Sequence, residues 1–105
     1  MSLRTLFEIT TGDYEFNNIN EFVSQLSTFG FDLIDHMGEA QQDGRIQQSE
    51  ISEISSNQFR ILVIWDTAMI FYEMLVSEDL RQAMSYFNNI GWQVQIVEKS
   101  ENPDS

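Results

Sequence analysis

The segment Phe59-Arg60-Ile61-Leu62-Val63-Ile64-Trp65 is apolar on both alternating faces apart from Arg60. A strand with only one buried face alternates apolar and polar residues, so this one reads as central, and the rest of the chain is read around it. Leu3 to Ile9 is a second strand, rich in apolar and β-branched residues. Thr11-Gly12-Asp13 is a turn, and Tyr14 to Phe16 is expected to return from it as a short strand. Asn18 then opens a helix, with Glu21 placed to close a capping box. Ile19, Phe22, Val23 and Leu26 follow helical spacing and make one apolar stripe. Gly30 stops that helix, and Phe31 to Met37 reads as a strand.

Residues 38–57 differ in character, being polar and free of aromatic side chains. Asp43-Gly44 favours a two-residue hairpin turn, so the segment is read as a solvated ribbon, with a loop or a short helix as alternatives. Met69 to Val76 is dense in β-formers and reads as the hairpin partner of Phe59 to Trp65, its rival being a helix that begins at Thr67. Ser77-Glu78-Asp79 is a helix start, a capping hydroxyl followed by two acids in the positive first turn. Leu80, Ala83, Met84 and Phe87 form its buried stripe. Trp92 to Ile96 alternates with period two, placing Trp92, Val94 and Ile96 inward.

The two halves echo one another. In each, a helix stripe runs into apolar-Gly-aromatic, at Phe29-Gly30-Phe31 and at Ile90-Gly91-Trp92. Two strand(–strand)–helix–strand units predict an α+β fold, a largely antiparallel sheet with two helices packed on one face, as in a ferredoxin-like or related two-layer sandwich. Residues 1–105 are read as a single domain, 38–57 as an insertion and 99–105 as a flexible tail.

Charge is the strongest global signal. Seventeen acidic residues against five basic ones give a formal charge of −12. Phosphate backbones and anionic membranes are bound by Lys and Arg, so direct contact with either is not expected. The chain has no Cys, which excludes disulfides, thiolate nucleophiles and cysteine zinc sites. No apolar run approaches the ~20 residues that span a bilayer, and the N-terminus lacks a signal-peptide pattern. A cytoplasmic location is the expectation.

Candidate chemistry is sparse. His36 is the one histidine, and on a strand it would point away from Asp35. Glu39 to Glu50 has the frame of a calcium loop, with oxygens at positions 1, 3 and 5, Gly44 at 6 and Glu50 at 12. Glu39 and Gln41 are a methylene too long for it, so a plain Asp-Gly turn is preferred. Asp66, at the end of the central strand, is the best-placed acid, but a turn Asp bonding its own backbone is the favoured account of it. No phosphate loop or nucleotide fingerprint is present, and no cofactor is implied.

The expected function is therefore non-enzymatic: an acidic module that binds a basic protein, as inhibitors, immunity-type proteins or nucleic-acid mimics do. Asp32, Asp35, Glu39, Asp43, Glu50, Glu53 and Asp66 would supply charge, with Trp65 and Tyr72 as anchors. The alternative is a small-molecule or metal-binding sensor domain, possibly dimeric, with its ligand between helices and sheet or at the Glu39–Glu50 loop. A third reading is a structural subunit of a larger assembly. A homodimer through the sheet is the plain account of the apolar Met69–Val76 run.

Overall fold

The structure is a computed structural model that describes residues 2–28 and 33–102. The elements are β1 (Ser2–Thr10), α1 (Ile19–Thr28), α2 (Leu33–Gln42), β2 (Ile46–Ser55), β3 (Gln58–Trp65), α3 (Ala68–Leu75), α4 (Glu78–Asn89) and β4 (Gln93–Asn102). The strands form one sheet in the order β2-β3-β1-β4, and every pairing is antiparallel. The α+β fold holds, with four helices among the described residues rather than two. Each half is strand–helix–helix–strand, but the sequence echo is out of phase with this repeat: Gly91 joins α4 to β4, whereas Phe29-Gly30-Phe31 falls between α1 and α2.

β3 is central, as its two apolar faces require, hydrogen-bonded to β1 on one side and β2 on the other. Its alternation divides the sheet. Phe59, Ile61, Val63 and Trp65 are buried under the helices, and Gln58, Arg60, Leu62 and Ile64 take the opposite, open face. The registers place Leu3, Thr5, Phe7 and Ile9 of β1 with the first set, and Arg4, Leu6, Glu8 and Thr10 with the second.

The core is aromatic. Phe22 of α1 stacks on Phe59 with ring centroids 3.9 Å apart and planes within 7°. Phe16 sets its edge against Phe22, Phe59 and Trp92. Phe87 of α4 stacks on Trp92 at 5.7 Å. Such geometries add to the area term, and removing one of these rings costs about 3–5 kcal/mol.

Four local expectations are corrected. Tyr14 to Phe16 forms no strand; Thr11 instead closes the turn by donating from its hydroxyl to the Tyr14 carbonyl at 2.7 Å, and Phe16 drops into the core. Phe31 to Met37 is not a strand over the part described, since α2 starts at Leu33. Asp43-Gly44 ends α2 rather than turning a hairpin: Asp43 N–H bonds the Glu39 carbonyl and Gly44 has φ +81°. The hairpin turn lies at Ser56-Asn57, between the paired Ser55 and Gln58. Met69 to Val76 is α3, capped by Thr67, whose hydroxyl accepts from Ile70 N–H at 3.3 Å. Apolar side chains on all sides mimic a strand, but burial of Phe71 against Trp65 and Phe7 decides for the helix.

Other expectations hold with shifts of detail. Asn18 Oδ1 accepts from Glu21 N–H at 3.1 Å, and Glu21 reaches back to Asn17 N–H rather than closing on Asn18. Ser77 caps α4. The flexible tail expected over residues 99–105 is corrected for Lys99 to Asn102, which complete β4 against β1. The Gly30 stop lies outside the described residues.

Candidate functional site

Two sites emerge from this framework, and they meet at the sheet's β4 margin. The first is a cavity of about 280 Å³ beside β4. Met84, Phe87 and Asn88 of α4 line one side, and Trp92 to Gln95 line the other, with Thr10 of β1 beneath. It forms there because Gly91 turns the chain sharply. Gly91 has φ +82°, its N–H bonds the Asn88 carbonyl at 3.1 Å, and Trp92 N–H bonds the Phe87 carbonyl at 2.9 Å. That closure is a helix C-cap of the left-handed type, and it brings Trp92 against Phe87. The lining combines apolar surface (Met84, Phe87, Trp92, Val94) with neutral hydrogen-bonding groups (Thr10, Asn88, Gln93, Gln95). No ionisable side chain lines it, so the lining offers hydrogen bonds and apolar contact but no group that exchanges protons.

The second is a polar cluster on the open sheet face. Glu8, buried although it lies on that face, accepts from Gln58 Nε2 at 2.7 Å, from Arg60 Nε at 3.1 Å and from Gln95 Nε2 at 3.4 Å. These donors come from β3 and β4, on either side of β1. The hydrogen bond from Gln58 is the largest influence and holds the Glu8 carboxyl below the ordinary glutamate range. Partial burial opposes it, and Arg60 and Gln95 add to the lowering. Gln95 belongs to both sites, lining the cavity and donating to Glu8.

The residues singled out from sequence do not converge. Asp32 lies outside the described residues, and Asp35 falls in α2. Glu39 is exposed on α2, and Asp43 pairs with Arg45 at 2.9 Å in the turn that follows. Glu50 sits on the open face opposite Leu62, and Glu53 on the helix side opposite Phe59. The calcium-loop frame is thus split between helix, turn and strand, and no group of three or more possible metal ligands occurs among the described residues. Trp65 is 6% exposed, with its indole N–H committed to Thr5. Asp66 accepts from Gln47 at 3.3 Å. Tyr72 is exposed on α3, where Lys99 Nζ donates to its hydroxyl at 3.0 Å and lies 5.2 Å from its ring centroid. His36 is in α2, so the strand argument separating it from Asp35 does not apply. No described helix is long and apolar enough to cross a membrane.

No protein-family model matches the chain, and no curated protein matches it. The fold has a solved counterpart. A Deinococcus radiodurans protein, provisionally described as an antibiotic biosynthesis monooxygenase, aligns with a TM-score of 0.67 at 16% sequence identity, covering 100% of this chain and 95% of that one. At that identity the likeness establishes the architecture, a ferredoxin-like α+β fold.

This overturns the expectation of a non-enzymatic acidic module. That reading rested on surface charge and on the absence of recognisable catalytic motifs. The architecture is one that a chain described as an enzyme also adopts, and the acids meant to form a binding face are dispersed. Exclusion of enzymatic activity fails on the same ground. The alternative drawn from sequence, a small-molecule domain with its ligand between helices and sheet, fits better.

Sequence reasoning found part of the cavity without assembling it. Met84 and Phe87 were in the α4 stripe, and Trp92 and Val94 on the inward face of β4. Thr10, Asn88, Gln93 and Gln95 carried no motif. Only the β1–β4 register, which sets Thr10 opposite Gln93, brings them together.

Proposed function

We propose that the chain is a small-molecule-binding domain whose ligand occupies the cavity between α4 and β4, with oxygenation of that ligand as the first activity to assay. The single observation that carries the reading is the lining: a concave site with an aromatic and aliphatic floor, four neutral hydrogen-bonding side chains and no charge. Its position between the helix layer and the sheet edge lies in a fold shared with a protein described as a monooxygenase. The side-chain amides of Asn88, Gln93 and Gln95 each offer both donor and acceptor, which suits carbonyl and hydroxyl groups alike. The formal charge of −12 then serves dispersal in water and disfavours anionic ligands at long range.

The test is a thermal-shift and intrinsic-fluorescence titration with uncharged aromatic probes (2-naphthol, indole, benzamide), followed by oxygen-electrode measurement on any that bind. Saturable quenching with a raised melting temperature is expected. Absence of both with every probe would remove the reading, and binding without oxygen uptake would remove oxygenation from it.

A further inference from the structure

We infer that Glu8 orients the side-chain amide of Gln95 so that its oxygen serves the cavity as a fixed acceptor, selecting uncharged ligands that carry an N–H or O–H donor. The inference rests on the cavity reading above and sharpens it, from an uncharged ligand to one with a donor at a stated place.

Three observations converge. The first is the register. Gln95 stands directly opposite Glu8 in the β1–β4 pairing. Directly paired residues project to one face with Cβ atoms about 5 Å apart, so the two side chains meet as neighbours. Gln95 Nε2 lies 3.4 Å from Glu8 Oε1. That bond is long, but its sense does not depend on its length. An ionised carboxylate only accepts, and it repels an amide oxygen brought against it. The nitrogen of Gln95 is therefore the end turned to Glu8.

The second is that Glu8 is itself held. From β3, Gln58 Nε2 donates to Oε1 at 2.7 Å and Arg60 Nε donates to Oε2 at 3.1 Å. Glu8 is only 8% exposed. Its lowered titration range keeps it charged at neutral pH. A fixed and permanently charged acceptor thus faces Gln95 from within the sheet.

The third is what remains free. The Gln95 oxygen accepts from no described residue. Thr10, Asn88 and Gln93 form no side-chain hydrogen bond among the described residues, so each can present a donor or an acceptor to a ligand. An amide on its own is equally ambivalent, but that of Gln95 already has its sense chosen by a neighbour. A ligand whose ring lies against Phe87 and Trp92, and whose edge reaches Gln95, gains a hydrogen bond there if it carries a donor. A ligand that brings only acceptors sets its lone pairs against those of the oxygen.

The experiment is a proton–nitrogen NMR titration of the labelled full chain with two matched probe pairs, indole against N-methylindole and benzamide against N,N-dimethylbenzamide. In the parent the donor-bearing member of each pair is expected to bind about fivefold to tenfold more tightly than its methylated partner. Gln95→Leu keeps apolar contact and removes the acceptor, so the preference should fall to about twofold or less. In Glu8→Gln the facing group can both donate and accept, and Gln95 is free to turn. The preference should shrink there too, while the methylated probes bind as well as before or better. A Glu8 that served stability alone would weaken all four probes together, and that result would overturn the inference. Equal binding within each pair in the parent, or a preference that survives either substitution, would overturn it and leave the cavity reading standing. No binding by any probe would remove both. Should Glu8→Gln fail to fold, Gln95→Asn, an amide one methylene shorter, is read in its place, and a preference kept in full there counts against the inference.

Discussion

Trp65 and Thr5 are joined across the central pair of strands: the indole N–H donates to the Thr5 hydroxyl at 2.9 Å, and that hydroxyl donates to the Val63 carbonyl at 3.2 Å. Thr5 is fully buried, so this short relay satisfies the one polar atom of a large core side chain. Thr5→Val keeps the shape and removes the acceptor. It is expected to cost about 1–3 kcal/mol in urea unfolding, because the indole N–H is left unpaired. Trp65→Phe in the Thr5→Val background removes the orphaned donor, so the two losses should fall short of additive. Strict additivity would show that the bond contributes nothing.

Gly91 offers a test of backbone rather than packing. A Cβ there meets nothing within 4 Å, yet φ is +82°. Gly91→Ala is expected to lose about 1–2 kcal/mol from the left-handed conformation alone. Gly91→Asn should lose less, since Asn tolerates that region better. Equal losses for the two would point to a steric cause.

Glu8 should leave a signature in acid. Its carboxyl titrates below the ordinary glutamate range in the folded chain. Its contribution is therefore complete above the unfolded value of about 4.3, and it is lost as pH falls from there through the lower folded value. Glu8→Gln is expected to be less stable than the parent at neutral pH, with the gap closing below about pH 4. Parallel curves down to the acid transition would contradict this.

The cavity can be closed from inside. Met84→Trp places a larger side chain against Phe87 and Trp92 and should abolish probe-induced thermal shifts while the circular-dichroism spectrum stays that of the parent. Asn88→Ala leaves the cavity open and removes one hydrogen-bonding group, so it is expected to weaken probe binding about fivefold to tenfold. Binding unchanged in both variants would place the ligand elsewhere.

How much of this was legible in the sequence varies by residue. Ser77 and Asn18 announced helix starts because capping is local chemistry, written in three or four neighbouring side chains. β3 announced itself because burial on both faces leaves no polar alternation. α3 did not, since Met69, Ile70, Phe71, Tyr72, Met74 and Leu75 satisfy strand and helix patterns alike, and only tertiary contact with Trp65 and Phe7 separates them. The Asp43-Gly44 signal was real as a turn, but it served a helix end instead of a hairpin. The cavity was illegible as a site because Thr10 and Gln93 are neighbours only through pairing across more than eighty residues of chain. The charge was plainly visible and misleading: it described a surface, not a task.

The pairing of β1 with β4 also governs the order in which the molecule can come into being. Ser2 lies opposite Asn102, and Thr10 opposite Gln93. On the ribosome β1 emerges before β4 and must wait beside an incomplete sheet until nearly the last of the described residues is made. The cavity wall formed by Trp92 to Gln95 does not exist before then. Long-range pairing of this kind slows folding relative to a helical bundle of similar size, and a nascent chain halted within α4 would expose the edge of β1, so the site is completed only once β4 has been made.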